Sequence, residues 1–493
     1  MSRYILAHDL GTSGNKATVY DFEGQLVAFS VDSYPTFYPS QRFVEQNPDD
    51  WWSSVCKTSK KILANNNIRP SDIACVTLSG QMMGCVLTDK YGESLRNAII
   101  WADSRAGVQE DFLRKQMDSW EFYKITGHRP ASFYSLAKLL WVKENEPTIY
   151  KNTYKMLNAK DYIIHKLTGV FATDYSDASG TNLLELESKN WSSSIIKAAG
   201  IEAGLLPKLL PSTDTAGKIT KAAATVTGLS EGTPVVMGGG DGSCAAVGAG
   251  AVTKGSVYVV IGSSSWIAHT TSTPIYDPHQ KTFTWVALDK DLYTPCGTMQ
   301  AAGYSVNWFN ENIGETQISN SPGADGLFFL PYLLGERSPR WDANARASFI
   351  GLTMTHKKPD MARAVLEGVG YNLKIILDLI CKTGTENITA IGGGAKNTQW
   401  LQILADIFET PIQIPAYLEE ATSLGAAICA GVGIGAIESF AAAAGFNKTS
   451  KTLSPQKENA SLYRKMYKHF DRLYYALDGA NHGTNHTDRF SSS

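Results

Sequence analysis

Five short segments combine residue types that do chemistry with small neighbours that clear space around them. The first is Asp9-Leu-Gly11-Thr12-Ser13-Gly14. Its glycines let backbone N–H groups approach a phosphate, and its hydroxyls add donors. Asp9 is a hard oxygen ligand suited to holding Mg²⁺ through water. A hairpin turn capped by an aspartate accounts for the same residues, and the spacing is not that of a Walker A loop. The second segment, Gly238-Gly-Gly-Asp241-Gly242, follows the apolar run TPVVM. A carboxylate left uncrowded at a strand end suits a general base that takes a proton from an attacking hydroxyl; a plain turn between strand and helix is the alternative. Gly262-Ser263-Ser264-Ser265 is a second hydroxyl turn, fit for phosphate or for solvent alone. Gly392-Gly393-Gly394-Ala395-Lys396-Asn397 would let a flat ring such as adenine lie against backbone at a helix start, or would simply allow close strand–helix packing. In Trp101-Ala-Asp103-Ser-Arg105, the charged pair could bind vicinal hydroxyls beside an apolar wall, or form a local ion pair in a surface turn.

The elements that must carry these segments are legible from periodicity. YILAH, KATVY and QLVAFSV read as strands joined by Gly-rich turns, and IACVTLSG as a further strand. A helix is expected from Pro48 to Ala64, where Trp51, Trp52, Val55, Ile62 and Leu63 recur at helical spacing. GSVYVVIG, the Ser263 turn and WIAHTT repeat the strand–turn–strand opening, which suggests a duplicated fold half with a boundary near residue 250. PDMARAVLEGVGYNLKIILDLI reads as an amphipathic helix, and ITAIGGGAKN followed by TQWLQILADIF as strand, turn and helix. The fold class is therefore α/β in two related domains, at 1–250 and 251–478, with a polar tail at 479–493 expected to be disordered.

Composition narrows the function. A formal net charge of −2 gives no electrostatic reason to bind nucleic acid or an anionic membrane, and no apolar run is long enough for a membrane span. The N-terminus lacks the pattern of a signal peptide, and seven scattered cysteines without a C-x-x-C pair read as reduced thiols, so a cytoplasmic protein is expected. None of the nine histidines stands at metal-ligand spacing.

Taken in order, Asp9-Leu-Gly-Thr-Ser-Gly14, Gly80-Gln-Met-Met-Gly84, Trp101-Ala-Asp-Ser-Arg105, Lys160-Asp-Tyr162, Gly238-Gly-Gly-Asp241, Leu330-Pro-Tyr-Leu-Leu-Gly-Glu-Arg-Ser-Pro339, Leu366-Glu-Gly368 and Gly392-Gly-Gly-Ala395 resemble the FGGY carbohydrate kinase family. The resemblance covers nearly the whole chain. It implies two ribonuclease H-like domains, of the actin and hexokinase type, with ATP and sugar in an interdomain cleft. It further implies Asp241 as base, Asp9 as the Mg²⁺-associated carboxylate, and a sugar site of Gln81, Met82, Met83, Trp101, Asp103, Arg105 and Asp241. The ATP site would comprise Gly11, Thr12, Ser13, Lys16, Gly262, Ser263, Ser264, Gly303, Asn307, Gly393, Gly394, Ala395 and Asn397. Within the family the pattern is similar to that of the xylulokinases, which implies transfer from ATP to a terminal hydroxyl of D-xylulose. Met83 stands where that pattern has a histidine, and Gly242 where it has an asparagine, so ribulose, an L-ketopentose, a tetrulose and a polyol remain alternatives. A sugar-sensing module without turnover is the rival of another class, and a homodimer is compatible with the family.

Overall fold

The computed structural model describes residues 3–483, with side chains as far as residue 477. The last helix, Lys457–Gly483, runs past the start of the expected tail; residues 484–493 of that tail lie outside the described residues. By packing, the chain forms two units. Of the described residues, the first takes those up to Lys254, Thr270–Thr294 and Glu420–Asn447; the second takes Gly255–His269, Pro295–Glu419 and those from Lys448 onward. One cut at residue 250 misses these returns of the chain. The helix Ala421–Gly433 belongs with the first unit because glycines let it lie backbone-to-backbone on Asp241–Gly248. A Cβ at Gly425 would overlap the Cys244 carbonyl, and one at Gly248 would overlap that of Ala421.

The first unit is built on a six-stranded sheet ordered Thr215–Lys218, Pro234–Gly240, Ile73–Gly80, Tyr4–Leu10, Gly14–Tyr20, Leu26–Ser33. The three strands from the N-terminus are antiparallel neighbours, while Tyr4–Leu10, Ile73–Gly80 and Pro234–Gly240 run parallel. Helix Pro48–Asn65 covers it, burying Trp51, Val55 and Ile62 against Leu6, Val19, Val76 and Leu78. That helix starts where proline fixes the first φ and the Asn47 side chain accepts from the Asp49 amide.

In the second unit, strands lie in the order Tyr293–Met299, Ser265–His269, Val257–Ile261, Ile388–Ile391, Ile412–Pro415, Thr449–Leu453. The first three are again antiparallel, the next two parallel to Val257–Ile261, and the outermost antiparallel. The same pattern of directions recurs in both sheets, which is the duplication expected from the repeated strand–turn–strand. Helices Lys358–Ile380 and Thr398–Phe408 pack on this sheet through Val369, Leu373, Ile376, Leu401 and Leu404.

Candidate active site

Register decides which residues of the first unit meet. Asp9 pairs with Ser79, Ser79 with Gly239, and Gly80 with Gly240. Asp9, Gln81 and Asp241 therefore leave three adjacent parallel strands at the same edge, the carboxyl end, where α/β sheets bind ligands. Both carboxylates are partly accessible. Scarce water around Asp241, and then the charge of Asp9, push its carboxyl up to about 7. Asp9 is also raised by burial, against a hydrogen bond from Ser79 and the charge of Lys16. Lys16 faces Asp9 across the hairpin and pairs with Glu420 at 3.6 Å. Among the described residues no three metal-ligating side chains gather. A single accessible carboxylate fits a Mg²⁺ ion that keeps most of its waters.

The glycines before Asp241 have a steric cause. A Cβ on Gly240 would lie 2.5 Å from the Met82 sulfur, and one on Gly239 would lie 2.6 Å from Ser176 Oγ and overlap Leu288. Ser176 is the end of a buried chain of polar groups. Lys160 Nζ lies 2.6 Å from Asp161, 3.1 Å from Asp174 and 3.7 Å from Asp177. Asp174 Oδ2 accepts from Ser176 Oγ at 2.5 Å and Ser212 Oγ at 2.7 Å. Ser176 Oγ in turn accepts the Gly240 amide at 3.0 Å, which fixes the peptide that enters Asp241. Asp174 and Ser176 carried no signal in the sequence. The positive end of the chain was visible only as a motif, Lys160-Asp-Tyr.

On the expected sugar side, Met82 is buried beside Gly240, and Met83 sits at φ 61°. Lys138 holds that turn, donating to the carbonyls of Met83, Ile100 and Phe133 at 2.7, 2.8 and 2.7 Å. Burial brings its ammonium down to about 7. Trp101 Nε1 donates to Thr12 Oγ1 at 2.9 Å, tying the tryptophan to the first hydroxyl turn. Asp103 and Arg105 are committed elsewhere. Arg105 pairs with Asp103 at 2.7 Å and with Glu45 at 2.8 Å, and Asp103 also accepts the Val44 amide at 2.6 Å. Asp103 is fully buried, so hydroxyl binding by this pair would require breaking those bonds. Trp285, which the sequence did not single out, fills the space beside Gly242: a Cβ there would lie 2.7 Å from its Cζ3. His128 and Phe283 extend that aromatic wall.

The second unit gathers its own set at the end of Val257–Ile261. Gly262 N donates to the Ser264 carbonyl at 3.0 Å, closing the hydroxyl turn. Ala302 and Tyr304 amides donate to the Ser263 carbonyl at 3.0 Å, and the Gly303 amide to that of Gly262 at 2.9 Å. Gly394 packs directly on Ile261, with Gly393 and Ala395 in the same short helical turn, Gly393–Lys396. Gly262, Ser263, Ser264, Gly303 and Gly394 thus converge on one strand end. Asn397 is partly used as a cap, its side chain accepting from the Trp400 amide at 3.0 Å, and Asn307 is exposed on helix Gly303–Asn312. Buried Glu336, its carboxyl pushed up to about 8 by desolvation, accepts the Gln300 and Arg337 amides, each at 2.8 Å, and so supports the segment leading to Gly303.

Two family descriptions match this chain: the N-terminal domain of the FGGY family of carbohydrate kinases over residues 4–248, and the C-terminal domain over 257–434. The chain belongs to the FGGY family of carbohydrate kinases. This FGGY kinase is 34% identical to the xylulose kinase of Bacillus subtilis over 484 residues, covering 96% of this chain and 97% of that one. It is 31% identical to the gluconokinase of Bacillus licheniformis over 501 residues, with 97% of each covered. Among solved structures, xylulose kinase from Lactobacillus acidophilus superposes with a TM-score of 0.92 at 28% identity, over 97% of this chain and 99% of the other. The chain is a sugar kinase, and ATP is the phosphate donor of its family. No helix among the described residues is long and apolar enough to cross a membrane.

Proposed function

We propose that this FGGY kinase transfers the γ-phosphate of ATP to a terminal hydroxyl of a small ketose, with D-xylulose the first candidate, in the cytoplasm. The observation that carries the reading is Asp241, a partly accessible carboxylate held at a parallel strand end and pushed up to about 7. A base of that strength is matched to removing a hydroxyl proton near neutral pH. Asp241 accepts the proton as the sugar oxygen attacks phosphorus, in line with the leaving ADP oxygen. Thr12, Ser13, Ser263 and Ser264 offer hydroxyls to the phosphates, Gly11 and Gly262 close the turns that present them, and Lys16 adds charge. Gly303, Asn307, Gly393, Gly394, Ala395 and Asn397 hold the nucleoside. Asp9 would hold Mg²⁺ through water, and the ion would supply charge neutralisation at the phosphates.

Gln81, Met82, Met83, Trp101 and Asp241 line the sugar subsite, with Trp285 beside Gly242 as an additional wall. D-gluconate is the second reading, favoured by the likeness to a gluconokinase. An ADP-release assay across pentuloses, tetruloses, polyols, glycerol and gluconate tests both. Selective turnover of D-xylulose supports the first reading, and selective turnover of gluconate or glycerol overturns it.

A further inference from the structure

We propose that Gln46 is a positioning residue that fixes the hydrogen-bonding polarity of the sugar subsite, making Gln81 an acceptor for a substrate hydroxyl. The inference rests on the kinase reading and deepens it.

Gln46 ends the strand Phe43–Gln46 and is fully buried. Its side chain makes four hydrogen bonds. Nε2 donates to the Thr12 carbonyl at 2.6 Å and to Thr36 Oγ1 at 2.8 Å; Oε1 accepts from Trp51 Nε1 at 3.1 Å and from Gln81 Nε2 at 2.8 Å. Which end of an amide is nitrogen is decided by its partners, and two of these partners allow one answer. A carbonyl oxygen only accepts, so the atom facing Thr12 is the nitrogen. An indole N–H only donates, so the atom facing Trp51 is the oxygen.

That orientation passes to the next amide. Gln81 meets Gln46 Oε1 and must present its own nitrogen there, which leaves Gln81 Oε1 as its other end. This oxygen is buried, in a residue 3% exposed, and has no hydrogen-bond partner in the protein. The Gln81 amide also donates to the Leu10 carbonyl at 2.9 Å, so backbone as well as side chain is held. A buried acceptor without a donor carries a penalty that a ligand O–H removes. Gln81 therefore selects a substrate with a hydroxyl at that point and disfavours one with a carbonyl or carboxylate oxygen there. Gln46 does this without touching the sugar.

The test is the ratio of kcat/KM for the preferred sugar to that of each of its monodeoxy analogues. In the native chain one analogue is expected to be rejected by about 10²-fold or more, because it leaves Gln81 Oε1 unpaired. Gln46→Met removes the constraint, lets the Gln81 amide turn over, and should compress that one ratio by about tenfold while leaving the others unchanged. Gln46→Glu keeps an acceptor toward Trp51 and Gln81 and should retain the native ratio even where overall turnover falls. Gln81→Met, which leaves Trp51 and Thr36 paired with Gln46, should abolish the same ratio and reads the acceptor even if Gln46→Met does not fold. A uniform loss across all analogues, or native discrimination in Gln46→Met or Gln81→Met, overturns the relay. A native chain that releases no ADP with any sugar instead overturns the kinase reading on which it rests.

Discussion

Asp241 is the residue on which most depends, and its environment predicts two opposite pH effects. With the carboxyl pushed up to about 7, the proposed base is protonated in mildly acidic solution. The kcat/KM profile should therefore fall about tenfold per pH unit below about 7, and Asp241→Asn should cost about 10²–10⁴-fold in kcat with ATP affinity nearly unchanged. Steady-state kinetics and nucleotide titration check both. For stability the sign reverses. Between the ordinary carboxylate range and about pH 7, the folded chain keeps a proton that the unfolded chain has released, so stability falls as pH rises through that window. Asp241→Asn removes the cost of the poorly solvated charge. Its melting temperature should exceed the native one at about pH 8, by about 1–2 °C for each kcal/mol recovered, and match it below about pH 4. Thermal scans at the two pH values read this directly.

At the scale of elements, the strand Pro234–Gly240 delivers the base but does not orient it alone; the Asp174–Ser176 pair holds its last peptide. Ser176→Ala should lower kcat by about tenfold while leaving the KM for ATP unchanged, since a lost neutral hydrogen bond amounts to about 1 kcal/mol and here acts on an aligned base. An equal rise in both KM values would contradict a positioning role. Lys160→Met should be far more harmful, destabilising by about 3–5 kcal/mol in denaturant melts, because Asp161, Asp174 and Asp177 lose the cationic partner they share among the described residues. Local elements were readable in the sequence because each follows local rules. Pro48–Asn65, Ile73–Gly80 and Thr398–Phe408 fall within a residue of where periodicity and turn residues put them. The partners of Asp241 were not readable. Ser176 meets Gly240 across 64 positions of sequence, and no local pattern encodes such a meeting. Asp103 and Arg105 show the converse: their spacing was noticed, but only tertiary packing reveals that Glu45 and Val44 use up their bonding capacity.

Across the whole molecule, a repeated strand–turn–strand foretold two related sheets, and it did so because the turn at Asp9-Leu-Gly-Thr-Ser-Gly14 and that at Gly262-Ser-Ser-Ser265 join equivalent strands. Unit membership was less visible, since nothing in the composition of Glu420–Asn447 marks it as part of the first unit. A fragment ending at Lys254 should consequently be poorly folded, with the face of Asp241–Gly248 that Ala421–Gly433 covers left open. Co-expressing residues 420–447 with a fragment spanning 1–294 should recover soluble material; a cooperative thermal transition of 1–254 alone would count against it. The same return of the chain sets a schedule for biosynthesis. A ribosome must pass Asn447, far downstream of Asp241, before the first unit has all its parts. The nascent kinase thus waits for a helix translated long after the strands it completes, and premature stops far downstream of Asp241 should be as damaging as those near it.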